Sequence, residues 1–116
     1  MIIGGGPAGN TAATHAARFG AQVTMIERDI VGGAAHLLDC IPSKTMIATG
    51  GAIAFSRRIG GMGLEQQEPE VDIDALTGRI GNIRDHLQAN TTQLLESQGV
   101  TLLKGTARLL GPHEVE

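Results

Sequence analysis

Hydrophobic positions near the start of the chain predict a strand, a helix and a second strand. Residues 1–3 and 23–26 are short apolar runs, each typical of a buried strand. Between them, residues 7–18 carry alanines spaced four apart, a pattern that predicts a helix packed closely on a sheet. Gly20 follows where a helix C-terminal cap belongs. We therefore predict a β-α-β unit with parallel strands.

The middle of the chain predicts a loop and then a second helix. Residues 28–40 contain two adjacent glycines and are expected to form a loop. Pro42 suits the first turn of a helix, which we expect to run to about Ser56. Residues 60–69 are predicted to form another loop.

A third helix has the clearest apolar pattern. Asp72 or Asp74 can cap its start, Gly99 can end it, and the acidic run before it is expected to be solvated. Its predicted buried seam consists of Leu76, Ile80, Ile83, Leu87 and Leu94. Residues 100–103 and 106–110 then predict two more strands, the first of them buried, and a turn at 111–113 precedes a further strand.

Composition narrows the possible functions. The 116 residues contain no apolar stretch near the roughly 20 residues of a membrane helix, so we expect a protein that is not membrane-embedded. A net charge of −3 and 2% aromatic residues argue against nucleic-acid binding. One cysteine excludes an intrachain disulfide, and no signal-peptide pattern is present, so a cytoplasmic location is expected.

Gly4-x-Gly6-x-x-Gly9 matches a dinucleotide-binding fingerprint. The pattern alone is weak in a chain with 17 glycines, but it lies between a predicted strand and helix, and Glu27 follows the second strand. Gly4 would allow a tight turn, Gly6 the approach of a pyrophosphate, and Gly9 the close packing of helix on strand. Glu27 would accept hydrogen bonds from ribose hydroxyls. The alternative is a glycine-rich turn in an ordinary α/β domain.

Cys40 is a second candidate for chemistry. Cys40 lies at a predicted helix start, and Lys44 follows one turn later. The helix dipole and the ammonium group of Lys44 would therefore both favour the thiolate form of Cys40. The alternative is a small buried hydrophobic residue, which is the usual role of a lone cysteine.

The four histidines show no metal-ligand spacing, so no metal site is expected, although His36 could contact Cys40.

Several motifs in order resemble the flavin-dependent pyridine nucleotide–disulfide oxidoreductases. They are Gly4-Gly5-Gly6-Pro7-Ala8-Gly9, Glu27, Gly32-Gly33, Cys40-Ile41-Pro42-Ser43-Lys44-Thr45 and Gly105-Thr106-Ala107. This resemblance covers essentially the whole chain. It implies an α/β fold, a three-layer Rossmann-type FAD-binding domain with a mainly parallel sheet. Because members of this family are much longer, residues 1–116 are expected to be an incomplete, N-terminal part of that domain, without the nicotinamide and dimerisation domains.

The resemblance also implies roles for individual residues. Lys44 would lie beside the flavin ring, Cys40 would be the thiol nearest the flavin, and Ala107 would touch the adenine through its backbone. The full cofactor-binding set that it implies is Gly4, Gly6, Pro7, Ala8, Gly9, Glu27, Arg28, Gly32, Gly33, Ala34, Lys44 and Ala107. NADH or NADPH would be the co-substrate, and the full-length protein would be a homodimer.

One position departs from the family pattern. The disulfide reductases carry a second cysteine five positions before the one that matches Cys40, and here that position is Ala35. A dithiol relay needs two sulfurs, one to attack and one to resolve the mixed disulfide. The string from Gly32 to Thr45 is similar to an actinobacterial branch that reduces quinones with NAD(P)H.

Three functions therefore stay open from the sequence. The first is the FAD-binding segment of an NAD(P)H:quinone oxidoreductase, in which Cys40 is a flavin-side thiol that need not take part in catalysis. The second is a disulfide or peroxide reductase that uses Cys40 alone, through a sulfenic acid. The third is a truncated FAD-binding module without catalysis.

Overall fold

The first 27 residues form the predicted β-α-β unit. The computed structural model describes all 116 residues and places β1 at Ile2–Ile3, α1 at Pro7–Arg18 and β2 at Thr24–Glu27. The two strands pair in parallel. The prediction for this part of the chain is confirmed.

Seven further elements complete the chain. A π-helical segment is followed by α2, a short 3-10 helix and α3, and then by three strands. Their bounds are Ala35–Cys40 for the π-helical segment, Ile41–Ser56 for α2, Ile59–Met62 for the 3-10 helix, Ile73–Ser97 for α3, Thr101–Lys104 for β3, Leu109–Gly111 for β4 and Glu114–Val115 for β5.

A parallel sheet in the order β1-β2-β3 carries the core on one face. Ile2, Met25 and Leu102 lie side by side in the register of the strands, so their side chains share a face. Met25 is fully buried there against Ala13 of α1 and Leu95 of α3. The α/β class with a parallel sheet is confirmed.

The opposite face of the sheet stays half-exposed. Ile3, Ile26 and Leu103 form the next row of the register, and Ile3 and Leu103 are each 49% exposed. Because α1 and α3 both contribute to the core on the first face, these 116 residues cover one side of β3 only. The prediction of a buried strand over residues 100–103 is therefore wrong for β3, although Val100 just before it is buried.

The buried side of α3 changes along its length. The predicted seam ends at Leu94, but Leu94 is 53% exposed and its neighbour Leu95 is 1% exposed. Consecutive helical residues point about 100° apart. Leu76 near the start of α3 faces α2 across a shared cleft, whereas Leu95 near its end packs into the core with α1 and β2. The predicted seam is wrong at this end because the two halves of the helix have different partners.

The loop predictions also need correction. Residues 28–40 are not one loop, because the helical backbone is already established at Ala34 and continues through the π-helical segment into α2. The predicted second helix is confirmed as α2, with Pro42 in its first turn, but the helical backbone enters α2 from the π-helical segment and does not start there. Part of the predicted 60–69 loop belongs to the 3-10 helix. The acidic run is solvated as expected, and Asp72 caps α3 by accepting a 2.9 Å hydrogen bond from Ala75 N.

The strand predicted over residues 106–110 starts later in the structure, whereas the further strand predicted after the turn is present as β5. β4 starts at Leu109, and residues 106–108 have no regular structure. β4 and β5 form an antiparallel hairpin around the predicted turn, closed by two 2.9 Å backbone hydrogen bonds between Arg108 and Glu116. None of the helices in this fold combines the length and apolar composition that crossing a membrane requires.

Leu95→Ala should lower the free energy of unfolding by about 2–5 kcal/mol, since it leaves a cavity in the core. Leu94→Ala removes the same atoms from an exposed position and should cost under about 0.5 kcal/mol. Urea denaturation followed by circular dichroism measures both. Equal losses in the two variants would contradict the assignment of the buried side of α3.

Candidate functional site

The glycine-rich turn between β1 and α1 is held against the sheet. Gly4 donates a 2.8 Å hydrogen bond from its backbone N–H to Ile26 O of β2 and adopts a φ of +97°. A Cβ at Gly9 would collide with the carbonyl oxygen of Gly4. The first turn of α1 therefore lies so close to the turn that residue 9 has no room for a side chain.

The start of α1 presents unpaired backbone donors. The N–H groups of Gly6, Ala8 and Gly9 donate to no acceptor within the chain, and the helix has no side-chain cap and no acidic residue in its first turn. Pro7 stands at the first helical position, where the absence of an N–H has no cost. Free N–H groups and the positive end of the helix dipole together suit an anion such as a phosphate.

A second pair of glycines packs against this turn. Gly32 donates a 2.7 Å hydrogen bond to Gly5 O. A Cβ at Gly33, whose φ is +88°, would lie 2.8 Å from Gly6 Cα and 3.2 Å from Pro7 Cδ. The backbone at residues 32–33 thus forms one wall of the turn, and a side chain on Gly33 would displace it.

Glu27 at the end of β2 connects the turn to the following loop. Its Oε2 accepts a 2.6 Å hydrogen bond from Gly5 N, and its Oε1 accepts a 2.7 Å hydrogen bond from Asp29 N. Burial raises the pKa of the Glu27 carboxyl, but the hydrogen bonds from Asp29 and Gly5 lower it by more in sum, so its pKa lies below the ordinary value. The ionised carboxylate is the form that the fold stabilises.

A cavity of about 340 Å³ opens beside Glu27, at the carboxyl ends of the parallel strands. Open α/β sheets bind ligands at this end. It is lined by Ile3, Gly4, Ile26, Glu27, Arg28, Asp29, Gly105, Thr106 and Ala107. The structure thus brings together four predicted residues from three separate parts of the chain, namely Gly4, the neighbours Glu27 and Arg28, and Ala107.

Sequence reasoning missed Asp29 and Gly5 as parts of this site. Asp29 lines the cavity and holds Arg28 in place through a 3.0 Å contact between Arg28 Nε and Asp29 Oδ2. The available signal was its position two residues after Glu27, where its backbone N–H can reach the carboxylate. Gly5 offered no signal, because the fingerprint leaves that position free.

The remaining predicted residues lie outside this cavity. Ala34 directly precedes the π-helical segment, Cys40 ends that segment and Lys44 lies on α2, and all three residues are exposed. The expectation that Cys40 lies at a helix start is wrong. Cys40 has helical backbone angles, φ −62° and ψ −44°, and follows six helical residues. The positive end of a helix dipole is therefore not at Cys40, which removes that reason to expect a thiolate.

The π-helical segment relates Cys40 to Ala35. In a π-helix each N–H bonds to the carbonyl five residues earlier, so residues five apart lie in adjacent turns. Ala35 begins this segment and Cys40 ends it. His36, which was expected to be able to contact Cys40, makes no side-chain hydrogen bond to it, and its carbonyl accepts from Ile41 N instead.

Fold and site together define a Rossmann-type nucleotide-binding unit. The profile of the pyridine nucleotide-disulphide oxidoreductases matches residues 1–116, and the chain belongs to that family. The family is FAD-dependent and takes NAD(P)H as substrate. The family expectation from the sequence is confirmed.

Relatives with different names align over nearly the whole chain. It is 33% identical over 110 residues to a dihydrolipoyl dehydrogenase of Halobacterium salinarum, covering 95% of this chain and 23% of the relative. It is 36% identical over 115 residues to an NAD(P)H dehydrogenase (quinone) of Mycobacterium tuberculosis, with the same coverage. The chain thus spans less than a quarter of the length of either relative.

A solved structure has the same fold. The crystal structure of LpdA from Mycobacterium tuberculosis superimposes with a TM-score of 0.85 at 36% sequence identity. The alignment covers 96% of this chain and 24% of LpdA. The Rossmann-type architecture of the FAD-binding region is thereby confirmed.

Gly9→Ala should lower the free energy of unfolding by about 1–3 kcal/mol, because the added Cβ collides with backbone. Gly78→Ala is the matched control. Gly78 lies on an exposed part of α3 with open space around it, so alanine should raise stability by about 0.5–1 kcal/mol. Urea denaturation distinguishes the two, and a stabilised Gly9→Ala would contradict the close packing of α1.

The lowered pKa of Glu27 predicts an acid-labile contribution to stability. A carboxyl whose pKa is lower in the folded state stabilises the fold above its unfolded pKa, and this contribution is lost as the pH falls through the folded pKa. Wild type should therefore exceed Glu27→Gln in free energy of unfolding at neutral pH. Denaturation curves at a series of pH values should show this difference shrinking below about pH 4. A difference that is independent of pH would contradict the assignment.

Proposed function

We propose that this chain is the N-terminal FAD-binding part of an NAD(P)H:quinone oxidoreductase. We choose a quinone as the electron acceptor because of two positions on the π-helical segment, Ala35 and Cys40. Cys40 is the only cysteine, and the position one π-turn before it is Ala35. Two-electron transfer through a dithiol is therefore not available to these residues.

The glycine turn and the cavity fit FAD. The N–H groups of Gly6, Ala8 and Gly9 suit its diphosphate, and the bare backbone of Gly33 keeps that approach clear. The cavity of about 340 Å³ is of the size that small-ligand sites have. We assign the part of the cavity beside Glu27 to the ribose of FAD, and the part beside Ala107 to its adenine.

A bound FAD would supply two-electron transfer between NAD(P)H and the acceptor. In this proposal Lys44 and Cys40 contact the flavin ring, and Pro7, Gly32 and Ala34 shape its approach. Arg28 stays paired with Asp29 at the rim of the cavity. These roles rest on the family resemblance and on the exposure of Lys44 and Cys40.

The names of two relatives indicate two different electron acceptors. One relative is named NAD(P)H dehydrogenase (quinone) and another dihydrolipoyl dehydrogenase, at 36% and 33% identity. Ala35 favours the quinone, because a flavin can pass electrons to a quinone without a second sulfur. We further place this activity in a cytoplasmic homodimer, as the resemblance and the sequence imply.

The test is steady-state NAD(P)H oxidation by the complete FAD-loaded protein that carries this chain. We expect turnover with menadione, and none with lipoamide or glutathione disulfide. Ala35→Cys is the informative variant, since it places a second sulfur one π-turn from Cys40. Disulfide turnover should become detectable in Ala35→Cys and in no other variant.

Cys40→Ser separates this proposal from its rival, a reductase that uses one cysteine. Quinone turnover should be unchanged in Cys40→Ser, because electrons reach the quinone without the thiol. Wild-type turnover with a disulfide or a peroxide that Cys40→Ser abolishes would overturn the proposal. It would assign the chemistry to a Cys40 sulfenic acid or mixed disulfide.

A further inference from the structure

The backbone donors of the glycine turn fall into two groups. Gly4 N and Gly5 N both bond to β2, through Ile26 O and the Glu27 carboxylate. The donors of Gly6, Ala8 and Gly9 stay free. The bonds to β2 thus use the first two N–H groups of the turn and leave the next ones for an anion.

Gly5 is the residue of the turn whose backbone is hydrogen-bonded to a side chain, that of Glu27. It is buried, its N–H bonds to Glu27 at 2.6 Å, and its carbonyl accepts from Gly32 N at 2.7 Å. Gly4 and Gly6 flank it, and glycine has more conformational freedom to lose on ordering than any other residue. A contact that orders the turn before a ligand arrives lowers the cost of binding that ligand.

Each oxygen of the Glu27 carboxylate accepts a hydrogen bond from a different backbone N–H group. Oε1 accepts from Asp29 N at 2.7 Å while Oε2 accepts from Gly5 N. A carboxylate can accept at both ends, whereas an amide has one acceptor and one donor end. A glutamine at this position would therefore face one of the two N–H groups with an N–H of its own.

We propose that Glu27 is a positioning residue for the diphosphate of the cofactor. It holds Gly5 so that the free N–H groups of the turn stand ready for a diphosphate, in addition to any contact that Glu27 makes with ribose. This inference rests on the proposed FAD site and goes beyond the ribose role.

The test compares ADP with adenosine, because the two differ by the diphosphate alone. Dissociation constants are measured by competition with FAD rebinding to the flavin-free protein as it is expressed from its gene. Glu27→Gln should weaken the binding of ADP more than the binding of adenosine. The ratio of the two dissociation constants should then favour ADP about tenfold less than in wild type, or less still. Asp29→Asn is the control, since it removes a charge from the same cavity but leaves both bonds of Glu27 in place. It should not lower the preference for ADP, because the loss of a negative charge near the diphosphate can only favour the anionic ligand.

The outcomes separate the two proposals. Equal losses for ADP and adenosine in Glu27→Gln would leave the FAD site standing and overturn the positioning role. A wild-type protein that binds neither FAD nor ADP would overturn both. Should Glu27→Gln fail to fold, amide hydrogen exchange in the flavin-free wild type decides. Slow exchange at Gly5 supports the positioning role, and exchange at the rate of an unstructured glycine overturns it.

Discussion

The hydrogen bond from Gly5 N–H to the Glu27 carboxylate joins the two halves of the nucleotide site. One partner lies in the turn that leads into α1, and the other ends the neighbouring strand β2. The bond brings the free N–H groups at the helix start and the cavity beyond the strands into one arrangement. The lowered pKa of Glu27 shows that this arrangement favours a charged carboxylate. In the FAD site that we propose, phosphate recognition and ribose recognition thus depend on a common contact.

The electron transfer that we propose involves a different part of the chain. The continuous helical stretch from Ala34 to Ser56 carries Cys40 and Lys44 away from the cavity, on exposed positions. Its π-helical turn places residue 35 in the turn next to Cys40. In the function proposed here, residue 35 therefore decides between a quinone and a disulfide acceptor, because only a cysteine there would supply a second sulfur.

Parts of the site could be predicted because they depend on local rules. The fingerprint glycines, the helix after them and the acidic end of β2 all follow from spacing and residue type. Asp29 and Gly5 could not be predicted in this way, since their contribution comes from backbone N–H groups that every residue carries. The error at Cys40 has a similar origin. Pro42 is typical of a first helical turn, but the helical backbone already starts at Ala34, and Leu37 within this added stretch is buried.

By itself the sequence determined the α/β class, the parallel β-α-β unit and the close packing of helix on strand at Gly9. Periodicity and glycine spacing depend only on residues that are close together in the sequence, so they can be recognised without knowing the fold. Only the tertiary structure decided that Leu95 and not Leu94 is buried, because the partner of α3 changes along the helix. It also decided that Glu27, Arg28 and Ala107 line one cavity, since the parallel register of three strands brings their carboxyl ends together.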